Sequence, residues 1–317
     1  MAERFYYGGQ AVVEGVMMRG QDTCVTAVRR TDGKIVVESQ ILPKIYKGKM
    51  RKTPFVRGII VLIESMVLGI QSILRSANLA LEEEGEEISG WMLWLMVAGS
   101  IAFAVVLFFL APLFITKLFN IESSLLFNLV DGLIRITILV AYLGLMGFLP
   151  ELKKVFSYHG AEHKTVNAYE NGVPMETEDV KKFSTAHVRC GTSFTFTVLI
   201  IAVLVFSLVG IHQTWLMVLS RIVLIPVISS ISYEAIYFSG RHTDNWLVRI
   251  LSKPGLLLQS LTTREPDEAK LEVAVAALRK VIEKEQPELV TWEVEKEELS
   301  PENTPNQVIQ ESPSNLE

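Results

Sequence analysis

Hydrophobic residues are concentrated in four long runs, which cover residues 91–115, 129–149, 192–211 and 215–238. Each run reaches the length of about 20 residues that a helix needs to cross the ~30 Å hydrocarbon core of a bilayer. Tryptophans stand near the start of the first and fourth runs, and Tyr233 and Tyr237 lie near the end of the fourth. Aromatic side chains concentrate at membrane interfaces. The pattern therefore predicts four transmembrane helices.

A fifth apolar segment, residues 55–81, differs from these runs because Glu64, Gln71 and Arg75 interrupt it. An apolar stripe with a polar face predicts an amphipathic helix that lies on the membrane or packs against it. The alternative is a fifth span. That alternative would place the basic N-terminal region outside the cell, which the distribution of charge disfavours.

Loop charge predicts the orientation of the four helices. The loop between the second and third runs is rich in cations, namely Lys153, Lys154, Lys164, Lys181, Lys182 and Arg189. The loop between the first and second runs carries only Lys117, and the short link between the third and fourth carries no Lys or Arg. Because cytoplasmic loops carry the excess of Lys and Arg, we expect a multi-pass protein of the bacterial inner (plasma) membrane. Both termini and loop 150–191 would be cytoplasmic.

The segments outside the apolar runs also have recognisable patterns. Residues 23–30 and 35–41 have strand-like composition around Asp32-Gly33, which predicts a β-hairpin with a type I′ turn. Pro266 can begin a helix whose apolar face contains Leu271, Val275, Leu278 and Ile282. From Gln286 onward, Pro, Glu, Ser and Asn dominate, and we expect this acidic tail to be disordered.

These elements predict an α-helical integral membrane protein: a four-helix transmembrane bundle with a small cytoplasmic α+β cap. The chain divides into an N-terminal cytoplasmic segment (1–52), an amphipathic helix (53–90), the four-span domain (91–240), a C-terminal cytoplasmic segment (241–285) and the tail (286–317). The bilayer is the expected partner. The pattern does not determine the oligomeric state, so a homo-oligomer stays open.

Composition narrows the classes of function. The formal net charge is −5, but cations cluster in the N-terminal part and acids in the tail. This disfavours a nucleic-acid-binding protein, whereas the basic part suits an anionic membrane surface. The two cysteines, Cys24 and Cys190, fall in segments expected in the cytoplasm, where disulfides are rare. The first ten residues contain no apolar run of the kind found in a signal peptide.

The most informative chemical pattern is H-x-x-E-H, formed by His159, Glu162 and His163. On a helix, positions four apart share a face, so both imidazoles can reach one ion. The intervening Glu could deprotonate a metal-bound water, as in zinc hydrolases with the inverted motif. The pattern therefore predicts a divalent metal, with zinc as the first choice. The alternative is a pair of interfacial histidines with a structural role.

Other candidate ligands fall at the same predicted membrane depth. His187 and Cys190 precede the third run, and Glu234 lies near the inner end of the fourth. Any of them could complete the coordination of a metal held by the two motif histidines. Glu234 could instead pair with a nearby cation. Cys190 could instead be a thiol nucleophile with His187 as its base, or a small buried residue.

Charges inside the apolar runs suggest a rival function. Asp131 and Arg135 are four residues apart and can neutralise each other, whereas Arg221 has no obvious partner in the sequence. Ionisable residues within transmembrane helices often mark a transport pathway. A small transporter therefore stays open beside an enzyme.

Several strings resemble those of the YqhQ-like family of bacterial membrane proteins: GGQAVVEGVMMRG (8–20), YHGAEHK (158–164), RCGTSF (189–194), SYE (232–234), and a C-terminal signature within 254–266. The resemblance covers roughly residues 5–282, and it departs from the family pattern at Val188, where a proline is expected. It implies a family of unknown function that is regarded as a metal-dependent enzyme. It also adds Glu14 and Arg19 to the candidate site, although both could instead belong to a structural turn.

Together these observations predict metal-dependent hydrolysis of a membrane-associated substrate at the cytoplasmic face. His159 and His163 would bind the ion, and Glu162 would be the base. The alternative is a non-catalytic membrane protein, either an assembly factor or a small transporter, whose histidine cluster or metal is structural. Nothing in the sequence identifies the substrate.

Overall fold

A computed structural model describes residues 6–81, 90–209, 213–242 and 245–287. The chain begins with strands β1 (Gly8–Val12), β2 (Gly15–Arg19), β3 (Thr23–Arg29) and β4 (Ile35–Ile41). Two short 3₁₀ turns follow, Lys44–Tyr46 and Lys49–Lys52. The rest is helical: α1 (Val56–Leu81), α2 (Gly90–Val105), a π-helical turn (Val106–Leu110), α3 (Ala111–Lys117), α4 (Ser124–Met146), α5 (Pro150–Glu170), α6 (Thr177–Val180), α7 (Gly191–Val209), α8 (Thr214–Val223), α9 (Ile225–Arg241), α10 (Trp246–Gln259) and α11 (Glu268–Glu285). The expected tail lies outside the described residues, apart from its first two positions.

The strands form one antiparallel sheet in the order β1-β2-β3-β4. The predicted hairpin of β3 and β4 is confirmed, but the type I′ turn is wrong. Gly33 has a φ of 82°, whereas Asp32 has no positive φ, and the Gly33 N–H bonds to the Arg30 carbonyl at 3.0 Å. A type I′ turn requires positive φ at both central residues. The sheet also contains a first hairpin, β1 and β2, which turns at Glu14 with a φ of 48°.

Helices cover both faces of this sheet. On one face, alternate residues of β2 and β3 pack against α5 and α11 in a core that includes Val16, Met18, Val25 and Ala27. The predicted apolar face of α11 is confirmed, since Leu271, Val275, Leu278 and Ile282 are all buried there. The helix begins at Glu268 with Asp267 as its N-cap, two residues after Pro266.

Helix α1 lies along the opposite face of the sheet. A second core joins the two elements and contains Val12, Met17, Cys24, Ile60 and Leu68. Polar contacts extend the interface: Arg19 donates to Glu64 at 2.9 Å, and the Val13 N–H donates to Ser76 Oγ at 3.1 Å. The side of α1 that faces away from the sheet exposes large apolar residues, among them Ile63, Met66, Val67 and Ile73.

Four helical segments among the described residues are long and apolar enough to cross a membrane: Val56–Ala80, Trp94–Lys117, Ser124–Met146 and Gly191–Val209. The last three correspond to the first three predicted runs. The first is α1, so its length and composition also satisfy the alternative of a span. The fourth predicted run, residues 215–238, is divided between α8 and α9, which are bent by 47°. Pro226 in the first turn of α9 explains the break, because proline lacks the N–H that would continue α8.

Candidate metal site

Helix α5 presents the two histidines of the H-x-x-E-H pattern one above the other. His159 and His163 are one helical turn apart, and their ring centroids are separated by 4.4 Å. The helix ends at Glu170, and Gly172 follows it with a φ of 73°, as expected from the Asn-Gly stop. The i,i+4 spacing therefore produces one shared face, as the sequence requires.

Cys190 completes a cluster with this pair. It lies immediately before α7, and its Sγ is 3.2 Å from His159 Nε2. The candidate ligand atoms of His159, His163 and Cys190 all lie within 4.8 Å of one another. Two imidazoles and a thiol are a donor set that zinc prefers. In the described part of the chain, these three side chains form the candidate metal cluster.

Backbone carbonyls fix both imidazole rings. Nδ1 of His159 is 2.9 Å from the Thr262 carbonyl oxygen, and Nδ1 of His163 is 2.6 Å from the Thr185 carbonyl oxygen. A carbonyl can only accept, so each Nδ1 carries a proton, and Nε2 is the nitrogen that could bind an ion after losing its own proton. Metal-binding histidines are usually held in this way through the nitrogen that does not bind the ion. The observed hydrogen bonds thus fit metal ligation through Nε2.

Glu162 lies beside the cluster and is 5% exposed. One of its carboxylate oxygens is 3.4 Å from His163 Nε2. The backbone of β1 approaches the Glu162 side chain closely, because a Cβ at Gly9 would lie 2.7 Å from Glu162 Cγ. The absence of a side chain at Gly9 therefore makes room for Glu162 between α5 and the sheet.

Charge within the cluster changes the protonation of its members. Burial raises the pKa of the Cys190 thiol, but His159 and His163 outweigh burial and lower this pKa to about 4. Burial lowers the pKa of His163, whereas Glu162 and Cys190 raise it to about 9. Burial also opposes the charged form of His159, but the hydrogen bond with Cys190 leaves its pKa raised. Without an ion, the cluster at neutral pH therefore contains a Cys190 thiolate beside a His163 imidazolium.

We expect the metal-free protein to show a Cys190 thiolate at neutral pH. Its pKa is depressed relative to an ordinary thiol, so deprotonation contributes stability that is complete above about pH 8.5. That contribution is lost as the pH falls through about 4. Thiolate ultraviolet absorbance, measured as the difference between wild type and Cys190→Ser, should persist at pH 7 and disappear near pH 4. Cys24 serves as the internal control, because burial raises its pKa to about 11. A Cys190 signal that appears only above pH 8 would contradict this assignment.

His187 lies next to the cluster without joining it. Its ring centroid is 5.6 Å from that of His163, and its Nε2 is 3.5 Å from Glu170. Burial lowers the pKa of His187, so it is neutral at pH 7. In the structure the thiol of Cys190 faces His159, so His187 is not the base that a Cys190 nucleophile would use.

Sequence reasoning missed the residues that hold the Cys190 loop. Gln259 is 1% exposed, and its amide makes two hydrogen bonds with the backbone of His187, at 2.9 and 3.0 Å. Thr262 Oγ1 is 3.1 Å from Thr192 Oγ1, and the Thr262 carbonyl holds His159. Both residues belong to the C-terminal signature at 254–266, which was the signal in the sequence that could have identified them.

The structure explains why residue 160 is a glycine, which the sequence alone did not show. A Cβ at this position would lie 2.0 Å from the Arg264 carbonyl oxygen, so the glycine allows the segment with Thr262 to contact α5. We expect Gly160→Ala to lower the thermal midpoint Tm by several degrees, because overpacking typically costs about 1–3 kcal/mol. Metal content should fall with it, since the Thr262 carbonyl would move away from His159.

Gly144→Ala is the matched control for this change. Gly144 lies in α4, where a Cβ would meet no atom within 4 Å. The Tm of Gly144→Ala should equal or exceed that of wild type, because alanine favours a helix more than glycine does, and its metal content should be unchanged. If Gly160→Ala also kept the Tm and metal content of wild type, the close approach of the Arg264 carbonyl to α5 would not be needed for stability or metal binding.

Other candidate site residues lie elsewhere. Glu234 accepts from Arg57 and from the Phe55 N–H, the latter at 2.9 Å, so it has the cation partner that the alternative anticipated. Glu14 pairs with Lys154 of α5 at 3.2 Å.

Arg19 donates to Glu64 and, at 3.4 Å, to the Tyr46 carbonyl. Neither Glu14, Arg19 nor Glu234 belongs to the group of close ligand atoms found among the described residues. The N-terminal signature instead forms a hairpin, which Glu14 attaches to α5 and Arg19 attaches to α1.

Residues 53–284 match the model of a family described as protein of unknown function, DUF1385. The chain belongs to this family. It is also 36% identical over 296 residues to the uncharacterized protein YqhQ of Bacillus subtilis (strain 168), an alignment that covers 87% of this chain and 92% of the relative. No solved structure matches the chain. The DUF1385 region contains every residue of the cluster and its supporting loops, whereas the sheet precedes it.

Proposed function

We propose that this DUF1385 protein is a membrane protein that binds a divalent metal, with zinc as the first choice, and hydrolyses a membrane-associated substrate at the cytoplasmic face. The observation that carries the proposal is the convergence of His159, His163 and Cys190 within 4.8 Å, with both Nδ1 atoms held by carbonyls. Nitrogen and sulfur donors favour zinc over the harder cations magnesium and calcium.

The number of ligands supports catalysis. A catalytic zinc has three protein ligands and one open position, whereas a structural zinc has four. The group in the described residues contains three. Bound there, an ion would lower the pKa of a water in the open position.

Glu162 supplies the base in this proposal. Its carboxylate lies 3.4 Å from His163 Nε2, and the fold holds it in a buried position against Gly9. A carboxylate at this place can accept a proton from water and return it to a leaving group. Cys190 would remain a ligand, because its thiolate points at the imidazoles.

Two features support a membrane topology with this site in the cytoplasm. The cationic loop between α4 and α7 contains α5, and Cys190 directly precedes α7, so the cluster lies at one end of the apolar helices. Helix α1 lies on the membrane in this proposal, because the sheet packs against one of its faces from Ile60 to Ser76 and leaves the apolar side with Ile63 and Met66 exposed. Arg75 of α1 also pairs with Glu38 of β4, with side chains 50% and 37% exposed. A helix with such partners is not surrounded by lipid.

Burial of the cluster favours a second candidate, a non-catalytic protein with a structural metal. Cys190 and His163 are 6% and 1% exposed, so a substrate needs a local opening to reach them. Metal content of the full chain purified in detergent tests whether the site binds an ion at all. The Glu162→Gln variant separates catalysis from structure. Wild-type protein that carries no metal would contradict both candidates.

A further inference from the structure

Helix α10 has an exposed surface that is mostly apolar. Its buried residues include Val248, Gly255 and Gln259, which form one stripe at positions i, i+7 and i+11. Outside this stripe the helix exposes large apolar side chains by between 49% and 71%, namely Trp246, Leu247, Ile250, Leu251 and Leu257. A contiguous apolar surface of this kind marks a place where a membrane or another molecule binds.

Two cations border this apolar surface. Arg249 and Lys253 are exposed and lie four residues apart, so they share one edge of the helix. In the described part of the chain neither of them forms an ion pair. Arg221 differs, because it lies 3.3 Å from Asp131, which corrects the expectation that it has no partner. The two cations of α10 are therefore available to an anionic partner.

The length of α10 suits the surface of a bilayer and does not suit a span. Its 14 residues extend about 21 Å at ~1.5 Å per residue, less than the ~30 Å of the hydrocarbon core. Pro254 lies inside the helix, and its missing N–H leaves the Ile250 carbonyl without the usual helical donor. Water or a polar headgroup can satisfy that carbonyl at the membrane surface, whereas hydrocarbon cannot.

Packing holds the second half of α10 at the end of α7 that begins next to the metal site. A Cβ at Gly255 would lie 3.2 Å from Ser193 Cβ, so the two helices are in close contact there. Ser193 belongs to the first turn of α7, three residues after Cys190. Because α7 is long and apolar enough to cross a membrane, this contact lies near one of its two membrane surfaces.

We propose that α10 lies in the surface of the membrane and binds anionic phospholipids. The apolar side chains enter the region of the acyl chains, Trp246 lies at the interface, and Arg249 and Lys253 contact the phosphate groups. Anionic lipids attract cations at the membrane surface, so the charge of α10 complements that of its partner. The side of the membrane rests on the proposed function, which places this end of α7 in the cytoplasm.

The end of α10 connects this surface to the metal site. Gln259 is its last residue, and the Gln259 amide holds the backbone of His187 through two hydrogen bonds. Three residues later, the Thr262 carbonyl holds the ring of His159. A helix bound to the membrane surface would therefore keep the metal site beside the lipid, where a membrane-associated substrate is found.

The test measures the fluorescence of Trp246 in the full chain, reconstituted in nanodiscs of phosphatidylcholine and phosphatidylglycerol. The signal of Trp246 is the difference between wild type and Trp246→Phe. Lipids brominated on the acyl chain quench a tryptophan that contacts lipid, and acrylamide quenches one that water reaches. Two sets of discs contain the same fraction of brominated lipid, which is phosphatidylcholine in one set and phosphatidylglycerol in the other.

Two double variants test the role of the cations. Arg249→Gln with Lys253→Gln removes the positive charge of α10. Lys181→Gln with Lys182→Gln is the matched control, because it removes two exposed lysines that directly follow α6. Each double variant is measured with and without Trp246→Phe.

We expect brominated lipid to quench the Trp246 signal and acrylamide to leave most of it. Brominated phosphatidylglycerol should quench about twofold more strongly than brominated phosphatidylcholine, or beyond, because the two cations attract anionic lipid. The variant without Arg249 and Lys253 should be quenched equally by the two lipids. The control without Lys181 and Lys182 should keep the ratio of wild type.

Quenching by acrylamide without quenching by brominated lipid would show that α10 lies in water. Shielding from both quenchers would show that protein covers it, for instance a second copy of the chain. Either result overturns the proposal, and so does equal quenching of wild type by the two lipids. The difference between Ile250→Trp and wild type gives the same measurement if Trp246→Phe does not fold. None of these measurements requires a bound metal, so their failure is distinguishable from failure of the metal site.

Discussion

Replacing both His159 and His163 with alanine is expected to yield protein without the divalent ion that wild type carries. Wild-type protein purified under mild conditions should contain about one ion per chain, since the three donor atoms converge on one point. The double variant keeps only the sulfur of Cys190, which cannot hold zinc alone. Metal analysis of the two purified proteins, side by side in detergent, measures the difference.

The thermal stability of the two proteins should also report metal binding. Saturation with a ligand at 100 times its dissociation constant stabilises a folded protein by about 2.7 kcal/mol. Zinc should therefore raise the Tm of metal-free wild type and leave the double variant unchanged. The ion should be released as the pH falls, because protons compete for the imidazoles and the thiolate. His163 is protonated below about pH 9 without metal, so this competition is already present at neutral pH.

His242→Ala provides the control for loss of a histidine. His242 is exposed at the end of α9, where its ring hydrogen-bonds to the Phe238 carbonyl at 2.9 Å. The His242→Ala variant should keep the metal content and the Tm response to zinc of wild type. If wild type contains no transition metal and neither zinc nor manganese raises its Tm, the metal site does not exist. The Cys190 thiolate and the His163 imidazolium would then favour a cysteine nucleophile, with His159 in contact with Cys190.

Glu162→Gln should retain the metal and the fold while abolishing function. Loss of a general base typically slows a reaction about 10²–10⁴-fold, because glutamine has nearly the same shape but cannot accept the proton. A carboxylate with only a structural role would behave differently: because Glu162 is buried, its replacement would lower stability by about 1–3 kcal/mol without loss of function. If the Glu162 carboxylate bound the ion, the Glu162→Gln variant would lose the metal together with the function.

Complementation of a deletion strain measures function without a known substrate, and metal analysis of the same variant runs in parallel. Glu178→Gln is the matched control, since Glu178 is an exposed residue of α6 outside the cluster. It should complement fully at wild-type expression. Full complementation by Glu162→Gln at the same expression level would end the hydrolase proposal. The non-catalytic alternative would then be the better account of the site.

Some features of this protein follow from the sequence alone because they depend on residues close together in the chain. The spacing of His159 and His163 places both rings on one face of any helix. The apolar periodicity of α11 and the length of the first three apolar runs likewise reflect local geometry. These predictions agree with the helices observed. Asn171-Gly172 ends α5 for an equally local reason, since the glycine takes a positive φ.

Other features required the tertiary structure, because they depend on contacts between distant segments. The β1 and β2 hairpin lacks the alternation of a half-exposed strand, since helices cover both faces of the sheet and bury nearly all of β2. Helix α1 has the length and composition of a transmembrane helix, yet one of its faces packs on the sheet. The periodicity of apolar residues shows that a helix has an apolar face, but it does not show whether lipid or another part of the protein covers that face.

The same distinction applies within the site. His187, Cys190 and Glu234 were equal candidates in the sequence, and long-range packing placed only Cys190 beside the two histidines. The carbonyls of Thr262 and Thr185 orient the rings, but a backbone carbonyl is present at every residue and leaves no mark in the sequence. The side chains that can bind an ion are thus visible in the amino-acid sequence, whereas their selection and orientation depend on which distant segments the fold brings against α5.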